Sequence, residues 1–172
     1  MKLSMLAIAS LLVMSPATFA QDFKKDDLVI SHPWTRATPG GATVGAGYLT
    51  ITNNGTEPDR ITGGTFQGAD RVEIHQMTMD GNTMKMRHLP EGVEIKPGAT
   101  VKFAPSSYHL MFFGLKKPIV KGPDVKGSLI FQKAGSVAVD FKVEPIGAMN
   151  SSDTSDGGMK MDDSKMMHDH MQ

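Results

Sequence analysis

The sequence predicts an all-β fold, built as a sandwich or as a Greek-key barrel. Between residues 28 and 143, short runs rich in Val, Ile, Thr and aromatic residues alternate with turn-forming Gly, Pro, Asn and Asp. This region has no long segment in which apolar residues recur with the period of a helix. Short strands separated by turns at this spacing are typical of sandwiches and barrels.

Eight segments are predicted as strands, because most of them combine β-branched or aromatic residues with a turn signal nearby. In chain order they cover residues 28–31, 47–52, 71–75, 83–87, 100–103, 109–113, 127–131 and 137–143. The turn signals are Asn-Asn-Gly at 53–55, Asp-Gly at 80–81, Pro-Gly at 97–98 and Ala-Gly at 134–135. The predicted core is therefore made of strands alone.

Residues 1–20 have the pattern of a secretory signal peptide. Lys2 precedes an apolar stretch over residues 3–14, and a small-residue cleavage site ends at Ala20. We therefore expect export to the periplasm with cleavage near Ala20/Gln21. The apolar stretch is shorter than the ~20 residues that span a bilayer, and no later segment is long and apolar enough, so no membrane span is predicted.

Composition divides the mature chain into a domain and a tail. Residues 21–146 are predicted to form the β domain, which is large enough for its own core. Residues 147–172 are mostly Met, Asp, Ser, Gly and His, so they cannot bury enough apolar surface to fold and are predicted to be a disordered tail. The chain has 18 basic and 18 acidic residues and no basic patch with interleaved aromatics, so we expect no nucleic-acid partner. We also expect a monomer.

The chain contains 14 methionines and no cysteine. The absence of cysteine excludes thiolate zinc sites, iron–sulfur clusters, a cysteine nucleophile and the blue-copper electron-transfer site. Methionines that only fill a core are scattered, whereas here they cluster with histidines. These clusters are therefore the candidates for chemistry.

The first cluster lies on a predicted hairpin over residues 73–88. A two-residue turn at 80–81 would pair His75 with Met86, and a turn at 81–82 would instead pair His75 with His88. Side chains alternate between the two faces of a strand, so either register leaves one set of residues on a single face. That set comprises His75, Met77, Met79, Met84 and Met86.

A core face is the simpler interpretation of this set, with His75 bonded to a backbone carbonyl. A second pair of residues, on another predicted strand, weighs against this interpretation. His109 and Met111 are two residues apart on a predicted strand and share one face, while Leu110 points toward the core. Packing alone does not account for two imidazole and thioether pairs presented in the same way.

Two imidazoles and two thioethers form a neutral set of metal donors without a carboxylate. Soft thioethers select Cu(I), whereas Mg, Ca and Mn prefer oxygen and zinc prefers thiolate, imidazole or carboxylate. A site without thiolate also releases its ion more readily. The clusters therefore predict a Cu(I) site.

The segments that carry these residues resemble the PCuAC family of periplasmic copper chaperones, which has a cupredoxin-like Greek-key β-sandwich. The resemblance extends over residues 28–143 and rests on segments 34–36, 45–53, 72–77, 84–87 and 108–116. The family motif is a histidine, ten residues, a methionine, about twenty-one residues and His-x-Met. Here ten residues separate His75 from Met86, and 22 separate Met86 from His109.

The resemblance implies that His75, Met86, His109 and Met111 bind Cu(I). It also implies delivery of copper to respiratory cytochrome oxidase, at the CuA centre of subunit II or a related site. A thiol-containing copper chaperone is a common partner of the family.

Further candidate ligands lie beside this quartet and in the tail. Beside it they are Met77, Met84 and His88, and in the tail they are Met159, Met161, Met166, Met167, His168, His170 and Met171. Imidazoles next to aspartates suit Cu(II), and thioethers suit Cu(I), so the tail is a candidate site for either ion. A solubilising extension without ligands is the alternative.

These observations predict a copper metallochaperone rather than an enzyme. A periplasmic protein that sequesters copper without a specific acceptor is the alternative. No Ser-His-Asp arrangement or catalytic carboxylate pair stands out, which disfavours hydrolysis. An adhesion domain on the same fold would leave the Met and His clusters unexplained.

Overall fold

The computed structural model describes residues 22–152 and contains, within that range, eleven strands and no helix. The strands are β1 (Asp22–Lys25), β2 (Leu28–Arg36), β3 (Val44–Asn53), β4 (Asp59–Phe66), β5 (Arg71–Asp80), β6 (Thr83–His88), β7 (Val93–Ile95), β8 (Thr100–Phe103), β9 (Tyr108–Phe113), β10 (Val125–Phe131) and β11 (Gly135–Glu144). The all-β prediction is confirmed, and residues 22–152 include no helix of the length and apolarity that a membrane span requires.

The strands form one continuous hydrogen-bonded path, β6-β5-β9-β8-β3-β2-β11-β10-β4-β7, with β1 paired to β2. Most pairs are antiparallel, while β2–β11 and β8–β9 are parallel. Strands β4 and β5 stand near opposite ends of this path and yet pack against each other. The sheet therefore curls back on itself and encloses the core between two layers.

Three phenylalanines from three strands form the centre of the core. Phe66 of β4 stacks on Phe112 of β9 with ring centroids 3.9 Å apart. Phe141 of β11 meets these two rings edge-on at 5.5 and 5.6 Å. Phe112 and Phe141 are fully buried. Because Phe112 belongs to the strand that also carries His109, core packing fixes the position of the predicted metal face.

All eight predicted strands are present, and β1, β4 and β7 are additional. Strand β4 was missed because Gly63 and Gly64 interrupt its pattern. A Cβ on Gly64 would lie 2.3 Å from the carbonyl oxygen of Ser128, so the close approach of β10 requires glycine there. Strand β1 is largely polar and β7 has only three residues, so neither produces a clear pattern.

The β5–β6 hairpin turns at Gly81-Asn82, because Asp80 pairs with Thr83. The register with a turn at 80–81 is therefore wrong, and the shifted register is the one observed. Gly81 has a φ of +59°, whereas Asn82 is not among the residues with positive φ. A positive φ at the first central position alone is the pattern of a type II′ turn, which favours glycine there.

Two residues near the start of the domain, His32 and Trp34, have structural positions. His32 lies at an irregularity of β2, where the register shifts between Ser31 and Trp34, and has a φ of +52°. Trp34 is buried and packs against Tyr48 with ring centroids 4.4 Å apart. The predicted signal peptide, residues 1–20, and the tail ligands from Met159 to Met171 lie outside the described residues.

Candidate metal centre

Three histidines form a row across neighbouring strands at one end of the sheet. In the observed register His75 of β5 lies between His88 of β6 and His109 of β9. The ring centroids are 5.2 Å apart for His75 and His88, and 5.9 Å apart for His75 and His109. The hairpin register thus places His88 beside His75, and the pairing of β5 with β9 brings the two motif histidines together.

The strand alternation separates this row from the core. Ile74 and Leu110 are buried in the core, whereas their neighbours His75 and His109 lie on the opposite face. On that face His75 is still only 7% exposed and His109 only 5% exposed. The two imidazoles are therefore shielded from water without being part of the hydrophobic core.

The hairpin methionines form two cross-strand pairs on the same face, Met77 with Met86 and Met79 with Met84. Met79 is 62% exposed, Met84 52% and Met86 51%. The interpretation of these methionines as a core face is therefore wrong. Large apolar side chains that stay this exposed do not stabilise the fold by burial.

His109 directs a lone pair at a thioether. Its Nδ1–H donates to the Ser107 carbonyl oxygen at 3.2 Å, since a carbonyl can only accept. In the neutral ring Nε2 then carries no proton, and this atom lies 3.3 Å from the Met86 Sδ. Burial lowers the pKa of His109, which favours the neutral ring. Two electron-pair donors thus face each other, an arrangement that a soft cation between them would stabilise.

His75 has a comparable arrangement. Its Nε2 lies 2.9 Å from the Glu73 Oε2, and because a carboxylate oxygen only accepts, Nε2–H donates this hydrogen bond. Its Nδ1 is buried and, among residues 22–152, has no hydrogen-bond partner. Buried polar atoms are normally paired, so an unpaired imidazole nitrogen beside a second imidazole suits a metal ligand.

Glu73 is the residue that the sequence analysis missed. Besides His75 it binds Arg71, whose Nε lies 2.7 Å from the Glu73 Oε1. Hydrogen bonds from Arg71 and then from His75 lower the pKa of Glu73. A carboxylate therefore stands beside the predicted neutral donor set. Its place two residues before His75, on the same face, was the available signal.

Met111 lies two residues beyond His109 along β9. It is on one side of the row of histidines, and Met86 is on the other side. The register pairs it with Glu73 on β5 and with Ala46 on β3. Its side chain is partly buried and lines a shallow pocket with Tyr48 and Ile146. The motif thioethers thus flank the imidazole pair from opposite sides.

The described residues offer no carboxylate-based alternative. Within residues 22–152 no three His, Asp or Glu side chains converge in a way that would hold a metal ion. A metal held near His75 and His109 would therefore need sulfur from the neighbouring methionines. This donor chemistry fits Cu(I) better than zinc or an alkaline-earth ion.

The chain segment after β11 is anchored beside this face. Arg36 donates from Nε to the Ala148 carbonyl oxygen at 2.6 Å, and its Nη2 lies 3.3 Å from the Met149 Sδ. The Ser152 backbone N–H donates to the buried Glu144 carboxylate at 2.8 Å. Residues up to 152 are thus held against β2 and β11.

Comparisons with known proteins show the family to which the chain belongs. A family model described as "Putative lipoprotein LpqE-like" matches residues 28–143. The "Putative lipoprotein Lxx21020" of Leifsonia xyli subsp. xyli is 26% identical over 149 residues, which is 86% of this chain and 89% of that protein.

Two solved structures have the same fold. The copper-bound PCuAC domain from PmoF2 superposes with a TM-score of 0.62 at 26% identity and covers 73% of this chain and 98% of its own. The solution structure of Cu(I)-DR1885 from Deinococcus radiodurans superposes with a TM-score of 0.56 at 23% identity, over 73% of this chain and 81% of its own. The second likeness concerns the fold alone.

Proposed function

The chain belongs to the LpqE-like family, and we propose that it is a copper metallochaperone that binds Cu(I) through His75, Met86, His109 and Met111. The observation that carries this proposal is the 3.3 Å approach of the His109 Nε2 to the Met86 Sδ. The likeness to the copper-bound PCuAC domain from PmoF2 supports copper as the ion.

The donor types support Cu(I) as the oxidation state. Thioether sulfur stabilises Cu(I), and the neutral imidazoles complete the set without adding charge. Each histidine uses one ring nitrogen to anchor itself, to the Ser107 carbonyl or the Glu73 carboxylate, and keeps the other for the ion. Met77, Met84 and His88 lie in the adjacent positions and are secondary ligands in this proposal.

The exposure of the site suits transfer rather than storage. The histidines are buried, but Met86 is half exposed, so an acceptor can approach the ion from the side of β6. We propose that the acceptor is subunit II of cytochrome oxidase, at its CuA centre, or a thiol-containing copper chaperone. Thiolates bind Cu(I) more strongly than thioethers, so the ion would move toward such an acceptor.

We further propose that the tail collects copper for the domain. Its ligands are Met159, Met161, Met166, Met167, His168, His170 and Met171. Ile146, the last residue before the tail, lines a shallow pocket with Met111, so the tail begins near this ligand. Ligands carried on the same chain as the site raise the effective concentration of copper at that site.

We propose that this function is carried out in the periplasm after export by the signal peptide of residues 1–20. The description of the family as lipoproteins is consistent with export.

Anaerobic transfer of Cu(I) to an apo CuA domain tests the proposal. The mature chain loaded with one equivalent of Cu(I) should pass it to the acceptor, and the His109→Ala variant should retain too little copper to do so. X-ray absorption of the loaded chain should show sulfur and nitrogen neighbours. Sulfur-free ligation would contradict the site, and retention of copper in the presence of the acceptor would favour sequestration.

A further inference from the structure

We propose that Glu73 is a positioning residue for copper binding: it holds His75 in the tautomer that leaves Nδ1 free for the ion. This inference rests on the proposed function, because it assumes that His75 is a ligand. It assigns a role to a residue outside the motif quartet.

The tautomer follows from the contact. A carboxylate can only accept, so the 2.9 Å contact to the Glu73 Oε2 requires the proton of the neutral ring on the His75 Nε2. The lone pair then belongs to Nδ1, the atom that is buried without a hydrogen-bond partner among the described residues. Without Glu73 the ring could exchange tautomers or rotate to pair Nδ1 elsewhere.

Glu73 is itself held in place. Its second oxygen, Oε1, accepts from the Arg71 Nε at 2.7 Å. The Arg71 guanidinium lies over the Phe113 ring, 4.3 Å from its centroid. The carboxylate therefore has both oxygens engaged by groups of fixed direction, and it orients His75 rather than acting as a ligand itself.

The two histidines differ in how they are anchored. His109 is held by the Ser107 backbone carbonyl, which no side-chain substitution removes. His75 is held by a charged side chain, and the negative charge of Glu73 also offsets the positive charge that Cu(I) brings to the face. The anchor of His75 is thus the one that mutation can test.

The test compares Glu73→Gln and Glu73→Ala with the matched control Glu94→Gln in the full mature chain. Glu94 also pairs with an arginine, Arg60, at 3.1 Å, but on the β4–β7 pair. Anaerobic competition with a chromophoric Cu(I) chelator should show about 10- to 100-fold weaker binding for both Glu73 variants, as expected when a group that orients a ligand is lost. The Glu94 variant should bind like the parent chain.

Nitrogen-15 NMR of the apo histidine rings separates positioning from general structural support. The parent chain should show His75 protonated at Nε2 alone, and the Glu73 variants should show a mixture of tautomers with the rest of the spectrum preserved. If Glu73→Ala does not fold, Glu73→Gln carries the comparison, because it keeps the side-chain shape.

The outcomes distinguish the inference from the proposed function. If His75→Ala weakens Cu(I) binding while both Glu73 variants bind normally with unchanged tautomers, Glu73 has no positioning role and the copper site stands. If His75→Ala also binds normally, His75 is not a ligand, and both the quartet and the role of Glu73 are wrong.

Discussion

Met86 on β6 reaches across β5 and brings its sulfur to 3.3 Å from the Nε2 of His109 on β9. The contact joins two strands that are not neighbours in the sheet. It therefore depends on the observed hairpin register, which pairs Met86 with Met77.

Replacing Met86 with leucine should weaken Cu(I) binding by about tenfold or more, because losing a group that merely orients a ligand already costs that much. Met79→Leu is the matched control, since Met79 is at least as exposed and lies one pair nearer the turn. Anaerobic chelator competition measures both affinities. Equal losses of Cu(I) affinity in the two variants would mean that Met86 contributes no more to copper binding than Met79 does.

The domain should fold without copper. Its core draws on strands of both layers and has three phenylalanine rings in contact, so the folding energy does not depend on the ion. The apo protein should melt cooperatively, and Cu(I) at about 100 times its Kd should add about 2.7 kcal/mol by mass action. A random-coil circular dichroism spectrum of the apo protein at room temperature would contradict this expectation.

Removing the ring of Phe112 should destabilise the domain by about 3–5 kcal/mol, the range for truncating a buried aromatic residue. Phe112→Ala deletes contacts with Phe66 and Phe141. Phe113→Ala is the control, because the neighbouring side chain lies on the other face and is partly exposed. Urea unfolding measures both changes, and a similar loss in the two variants would refute the central role of Phe112.

The apo domain should lose stability as the pH falls below about 6.5, the ordinary pKa of histidine. Burial lowers the pKa of His109, so the unfolded chain binds more protons than the folded domain in this range. The contribution is present above the unfolded value and is lost as the pH falls through the folded value. The lowered pKa of Glu73 acts in the same direction in more acidic solution.

Thermal melts between pH 5 and pH 8 measure this dependence, with His109→Gln as the comparison. The variant lacks the titrating ring and should show a flatter profile over this interval. An unchanged slope would assign the pH dependence to other groups.

Deleting residues 153–172 should lower the total copper capacity and abolish Cu(II) binding at His168 and His170, while the core Cu(I) affinity stays nearly the same. Ending the chain after Ser152 keeps its bonds to Glu144. Metal analysis after gel filtration compares the truncated and mature chains. Equal uptake of Cu(I) and Cu(II) by both would leave the tail as a solubilising extension.

Most strands could be predicted from their sequence pattern, whereas β1, β4 and β7 could not, because β1 is largely polar, β7 is short and β4 is interrupted by glycines. Strand β4 contains Gly63 and Gly64, and the close approach of β10, which requires glycine at position 64, is visible only in the tertiary structure. The hairpin was predictable as a hairpin, but not its register, because Asp80-Gly81 and Gly81-Asn82 are both acceptable turns.

The candidate site could also be predicted only in part. Strand periodicity sufficed to place His75 and Met86, and separately His109 and Met111, on single faces of their strands. The direct pairing of His75 with His109 arises from the β5–β9 register, which the sequence does not encode locally. The anchor of His109 is a backbone carbonyl, and any residue type supplies one, so no sequence pattern marks Ser107.

Strand β6 forms the edge of the sheet, and all six of its side chains are exposed. Strands with one neighbour and little buried surface open locally at low free energy, so the β6 amides should exchange with solvent faster than those of β5 or β9. An ion bound by both Met86 and His109 would link the edge strand β6 to the interior strand β9. Slower amide exchange in β6 would then indicate that copper is bound. Local opening of β6 would be the first step in transferring the ion.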